Sequence, residues 1–160
     1  DEALFEPLRH VLLAFAVRRP EIGYCQSMNF IVSRLLLHCD EESSFWILCS
    51  LLEDMLPAGY YTSQMDGVRA DLRVLDSLVL RYLPNLHRHI DDSGIDLAPI
   101  TMNWFLCLFV NTLRPKEAHR VLDCLLHEGV EVLFRTALAI LRLCEAALLS
   151  SSAVVDVYDI

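Results

Sequence analysis

The stretch GVRADLRVLDSLVLRYL, residues 67–83, decides the fold class. Val68, Leu72, Leu75, Val79 and Leu83 recur at spacings of three and four. Arg69, Arg73, Ser77 and Arg81 fall between them on the opposite side. That is the period of an α-helix with one buried face and one wet face. Elsewhere the apolar spacing is again helical, and no run alternates cleanly with period two. The expected fold is all-α, a single domain over 1–160 with about eight or more helices joined by short loops.

Working outward, proline and glycine punctuate the rest. A first helix is expected over 4–19, with Pro7 in its first turn and Pro20 as its stop. A second is expected over 24–39, with Cys25, Met28, Val32, Leu35, Leu36 and Cys39 as its apolar stripe and Gln26, Asn29 and Ser33 on a polar one. Asp40, Glu41 and Glu42 open a third, over 41–56, where acids suit the helix dipole. This third helix is apolar almost all round and is expected to be central. Beyond 67–83, Pro84 opens a short helix and Ser93–Gly94 makes a turn. A buried helix is expected over 100–113, another from Pro115 to Gly129, and a long one over 130–149. Residues 153–160 form one more helix or a tail.

Composition bounds the function. Of 160 residues, 54% are hydrophobic and 22% charged, which excludes disorder for most of the chain. Lys and Arg number 13 against 22 Asp and Glu, a net charge of −9 that disfavours nucleic acid and anionic membrane surfaces as partners. The uncharged run 97–113 contains Pro99, Asn103 and Asn111 and falls short of a membrane span. The start at Asp1-Glu2 is acidic, unlike a signal peptide, and lacks Met. The chain therefore reads as a domain of a longer protein. None of the six cysteines, Cys25, Cys39, Cys49, Cys107, Cys124 and Cys144, forms a CxxC pair. They read as reduced core thiols of a protein kept in the cytoplasm.

Few residues offer chemistry. His87 and His89, followed by Asp91 and Asp92, raise a metal-dependent hydrolase as one reading. Helical residues two apart point to different faces, so the reading with no metal is preferred. Asp123 sits among Val121, Leu122, Cys124 and Leu125, and is expected to be a buried carboxylate capping a helix or pairing with an arginine. No Gly-rich phosphate loop and no HExxH occurs. Ile22-Gly23-Tyr24-Cys25-Gln26-Ser27-Met28-Asn29 differs. A turn glycine precedes a helix start, and Gln26 and Asn29 lie in its first turns. Free N–H groups there suit an anion, and a glutamine can orient water or hydrogen-bond a phosphoryl oxygen.

That segment resembles the glutamine-finger motif of the TBC domain, the family of Rab GTPase activators. Leu8-Arg9-His10-Val11-Leu12-Leu13-Ala14-Phe15 resembles the helix before it. Ser44-Phe45-Trp46-Ile47-Leu48 and Met55-Leu56-Pro57 resemble the next helix and its stop. Leu86-His87-Arg88-His89, Gly94-Ile95-Asp96, Asn103-Trp104-Phe105-Leu106-Cys107-Leu108-Phe109 and Asp123-Cys124-Leu125-Leu126-His127-Glu128-Gly129 resemble later blocks in the same order. The resemblance covers 4–149 and implies a TBC domain lacking its N-terminal part. It implies no cofactor of its own: a GTP-bound Rab partner carries nucleotide and magnesium, and the domain completes that partner's active site. Gln26 matches the catalytic glutamine; Tyr24 and Asn29 match motif positions that support it and its partner contacts. It also implies a cytoplasmic protein recruited to endomembranes through partners.

The sequence departs from the family in two ways. The family's arginine lies in an Ile-x-x-Asp-x-x-Arg pattern that these 160 residues do not contain. Arg18 and Arg19 stand too close to the turn to match, so the arginine is expected ahead of Asp1. Its absence keeps open a pseudo-activator that binds without accelerating hydrolysis. Ser27 stands where glycine is usual, and Leu122 where tryptophan is frequent.

Overall fold

The computed structural model describes residues 4–150. Among them the chain forms eight α-helices and no strand: α1 (Phe5–Arg18), α2 (Met28–Leu35), α3 (Glu41–Ser50), α4 (Asp66–Tyr82), α5 (Pro84–Ser93), α6 (Ala98–Leu106), α7 (Pro115–Glu128) and α8 (Glu131–Ser150). A π-helical turn, Leu51–Met55, continues α3. The helix or tail expected at 153–160 lies outside the described residues.

The punctuation acts as read. Pro84, Pro99 and Pro115 stand in the first turns of α5, α6 and α7, where no amide partner is lost. Asp40 caps α3 by accepting from the Ser43 amide at 2.7 Å. Gly94 closes α5 in the left-handed conformation, φ 64°.

α1 packs on α2 and α3; α4 packs on α5, α6 and α8; α7 packs on α8. Val11, Phe15, Met28, Ile31, Leu48, Val68, Leu86, Phe105, Leu125 and Leu133 belong to one continuous core. Gly67 permits the closest approach. A Cβ there would sit 2.6 Å from the Ala58 carbonyl oxygen and 3.0 Å from the Tyr60 amide. That fit lets the 57–65 loop lie against α4. Its Tyr60 hydroxyl donates to Asp71 Oδ2 at 3.0 Å, and its Tyr61 hydroxyl to the Leu106 carbonyl at 2.8 Å.

Several expectations are corrected. The second helix is short: residues 24–25 have no regular structure, 26–27 are turn, and 36–39 leave the α-helix. The third is not apolar all round in effect, because Trp46 is half exposed and its last turn widens to π. The buried helix ends at Leu106 rather than 113. Leu108 and Phe109 then take φ of 49° and 62° and turn the chain inside the core. Tyr61 supplies the reason, since its hydroxyl takes a carbonyl that helix termini leave unpaired. Asp123 is exposed, not buried: it occupies the wet face of α7 while Leu122 and Leu125 face inward.

Candidate functional site

The site is a turn between α1 and α2. α1 ends at Arg18, and the Arg19 carbonyl accepts from the Ile22 amide at 3.0 Å and the Gly23 amide at 2.8 Å. The chain then reverses at Cys25–Met28, with the Met28 amide donating to the Cys25 carbonyl at 3.2 Å. Gln26 and Ser27 are the central residues of this four-residue turn. Ser27 has φ 101° and ψ −33°, near the third position of a type II turn, where a positive φ is required. Backbone geometry at this position therefore favours glycine, and Ser27 adopts it against that preference.

Asn29 closes the turn from the helix side. Its Oδ1 accepts from the Ser27 amide and from the Tyr24 hydroxyl, each at 3.3 Å. Met28, fully buried, plugs the turn into the core, and Ser27 is also buried. Burial pushes the Cys107 thiol above its ordinary value, and its Sγ donates to Asn103 Oδ1 at 3.4 Å. Gln26 is exposed at the apex, and no described residue hydrogen-bonds its carboxamide. Tyr24, Gln26 and Asn29 are thus brought together, with Gln26 aimed outward and the other two holding the turn. The expected helix start at Tyr24 is replaced by a turn, which leaves Gln26 outside α2 altogether.

Beside the turn, Leu8, Leu12, Leu13 and Ala16 of α1 form a shallow apolar groove with Tyr24 and Asn29. Phe5, Leu13 and Val17 are exposed along the same helix. An open apolar strip beside an uncommitted amide suits contact with a macromolecule, not enclosure of a small substrate. The deeper cavities lie elsewhere, one between α6 and α8 and one among α4, α5 and α6, and neither includes Gln26.

Residues 1–149 match the Rab-GTPase-TBC domain family. The chain belongs to that family. It is 40% identical over 152 residues to small G protein signaling modulator 3 of Rattus norvegicus, covering 95% of this chain and 20% of that protein. It is 42% identical over 155 residues to TBC1 domain family member 2A of Bos taurus, covering 96% of this chain and 17% of the relative. The chain therefore spans a fifth or less of the length of these relatives. The crystal structure of the Chlamydomonas flagellar RabGAP TBC domain superposes with a TM-score of 0.84 at 35% identity, covering 93% of this chain and 49% of that one.

Within this TBC domain the arginines nearest the turn are committed. Arg18 donates to both carboxylate oxygens of Glu53, Nε to Oε1 at 2.8 Å and Nη2 to Oε2 at 3.0 Å. Arg19 pairs with Glu21 and reaches Glu53 Oε1 at 3.5 Å. The histidine–aspartate segment is an inter-helix brace: His87 Nε2 lies 3.2 Å from Asp76 of α4, and its Nδ1 lies 3.2 Å from Asp91. Among the described residues no three His, Cys, Asp or Glu are grouped to hold a metal, and no helix is long and apolar enough to cross a membrane. All six cysteines are free thiols; Cys49 and Cys107 are buried and the other four half-buried. Glu53, the acceptor for both arginines, was not among the expected residues. Only its place in Leu51-Leu52-Glu53, an acid directly after two leucines, singles it out.

Proposed function

We propose that this TBC domain acts in trans on a GTP-bound Rab-type GTPase, with Gln26 positioning the water that attacks the γ-phosphate. The observation that carries the reading is Gln26 at the apex of a turn whose flanking side chains, Tyr24 and Asn29, are spent on holding it. A carboxamide both donates and accepts, so it can orient a water by one atom and hydrogen-bond a phosphoryl oxygen by the other. Nucleotide and magnesium belong to the partner, and the domain brings no cofactor. The reading implies work in the cytoplasm, with endomembrane recruitment following from the Rab.

A second reading is favoured by one observation. The 160 residues hold no Ile-x-x-Asp-x-x-Arg, and Arg18 and Arg19 are both ion-paired. A domain with no arginine to offer would bind a GTPase without accelerating it. Arginine fingers contribute roughly 10³ to 10⁵ in rate, so these 160 residues alone are expected to stimulate poorly.

Single-turnover GTP hydrolysis by a panel of Rab proteins tests both. In the full-length protein, Gln26→Ala is expected to cut stimulated hydrolysis by about 10²-fold or more while binding to the GTP-loaded partner changes little. Stimulation equal to wild type would end the glutamine reading. Binding without any stimulation by the full-length wild type would establish the pseudo-activator.

A further inference from the structure

We propose that Glu53 is a positioning residue for the Gln26 turn, an inference that rests on the role of Gln26 proposed above. Glu53 lies on the π-helical turn Leu51–Met55, closed by the Leu56 amide on the Leu51 carbonyl at 3.0 Å. A π turn carries an extra residue, which re-aims the side chains on it, and such turns recur at functional sites. Here the result is a carboxylate brought beneath the C-terminal end of α1, with its side chain only 15% exposed.

An acid beside a helix C-terminus faces the negative end of the dipole. Arg18 and Arg19 reverse that penalty. Arg18 grips the carboxylate with two parallel N–H donors and lays its guanidinium over the Trp46 ring, 5.4 Å from the centroid. Arg19 adds its own Nη1 at 3.5 Å. The Arg18 hydrogen bond is the main reason the Glu53 carboxyl titrates below its ordinary value, against the opposing effect of burial. Paired, bidentate and shared between two arginines, this is the kind of surface ion network that holds geometry, unlike an isolated pair.

The connection to Gln26 runs through Arg19. Its carbonyl is the acceptor for both amides that start the turn, Ile22 and Gly23. The glutamine segment therefore hangs from two anchors. One is Asn29 on its helix side. The other is Arg19 at the end of α1, held by Glu21 and by Glu53 of the π-helical turn, which also grips the adjacent Arg18. Loss of the carboxylate frees the Arg18 side chain, leaves Arg19 held by Glu21 alone, and lets the α1 end, and the turn with it, drift. Small displacements of a positioning group have large kinetic effects because the reacting geometry is narrow.

The test compares Glu53→Ala and Glu53→Gln with wild type in the full-length protein. In Glu53→Ala, hydrogen exchange at the Ile22 and Gly23 amides should speed up by about tenfold while α7 and α8 amides keep their wild-type rates. The kcat of domain-stimulated GTP hydrolysis by the Rab should fall by about tenfold with KM within about twofold. Glu53→Gln, which keeps an acceptor but not the charge, should fall between the two on both measures. In a Gln26→Ala background, Glu53→Ala should cause no further loss of kcat, because the residue acts through the glutamine. Unchanged exchange at Ile22 and Gly23 would overturn the proposal, as would an undiminished Glu53→Ala effect on kcat in the Gln26→Ala background. Faster exchange together with a Gln26→Ala protein of full activity would overturn the role of Gln26 and leave the anchoring of the turn by Glu53 supported.

Discussion

The turn before α2 and the turn after α6 use similar backbone for opposite ends. Ser27 has φ 101° in the first; Leu108 and Phe109 have φ 49° and 62° in the second. Non-glycine residues in such conformations cost about 1–3 kcal/mol each. At Leu108 and Phe109 both side chains are fully buried, and burial of each contributes about 1.5–3 kcal/mol, so packing offsets the strain. At Ser27 there is no apolar side chain to bury. The strain is held by the plug of Met28 and by Asn29. The pair teaches that a strained turn can be spent inward, closing a core, or outward, presenting one polar side chain on a rigid base.

The largest effect should separate the two turns outright. Phe109→Ala is expected to lower unfolding stability in urea by about 3–5 kcal/mol, because it empties a fully buried aromatic site. Gln26→Ala should change it by no more than about 0.5 kcal/mol. Similar losses from both would erase the distinction. Next, Asn29→Ala removes the acceptor shared by the Ser27 amide and the Tyr24 hydroxyl, and should cost about 1–2 kcal/mol in the same assay. A smaller effect with opposite signs sharpens the comparison. Ser27→Gly should gain about 1 kcal/mol by relieving strain, whereas Leu108→Gly should lose stability, since the burial it forfeits exceeds the strain it relieves.

The smallest effect lies at the far end of α2. His38 packs edge-on against His119 of α7, with ring centroids 3.8 Å apart. Burial, then the neighbouring His38 and Arg34, hold the His119 imidazole below its ordinary value of 6.5. The folded state thus binds fewer protons than the unfolded state between that lowered value and 6.5. Stability from this contact is complete above 6.5 and is lost as pH falls through the window down to the lowered value. Urea midpoints should decline in that window for wild type and decline less for His119→Gln. An equal slope in the variant would remove the histidine contact from the account.

The parts of the fold legible in the sequence are those with local causes. Val68, Leu75 and Val79 announced α4 by spacing, and Pro84, Pro115 and Gly129 set the ends of α5 and α7. What escaped reading has tertiary causes. Tyr24, Cys25 and Gln26 contain no breaker, so nothing local separates a helix start from a turn; Met28 in the core and Asn29 on the turn decide it. Leu106 to Val110 reads as unbroken helix because every side chain there is buried either way; the Tyr61 hydroxyl ends it from a distant loop. The π turn at Leu51–Met55, and with it Glu53, has no signature of spacing at all. Gln26, Tyr24 and Asn29 stand out in the sequence only through the resemblance of Ile22 to Asn29 to the glutamine-finger motif.

The central claim is that Gln26 takes over the work of the partner's own catalytic glutamine. It is tested most directly by single-turnover hydrolysis with a Rab whose own catalytic glutamine is replaced, using the full-length protein with and without Gln26→Ala. Wild type should still stimulate that Rab, because the water-orienting carboxamide arrives in trans, and Gln26→Ala should not. Equal stimulation by wild type and Gln26→Ala, or none by wild type on the substituted Rab alongside normal stimulation of the unsubstituted one, would contradict it.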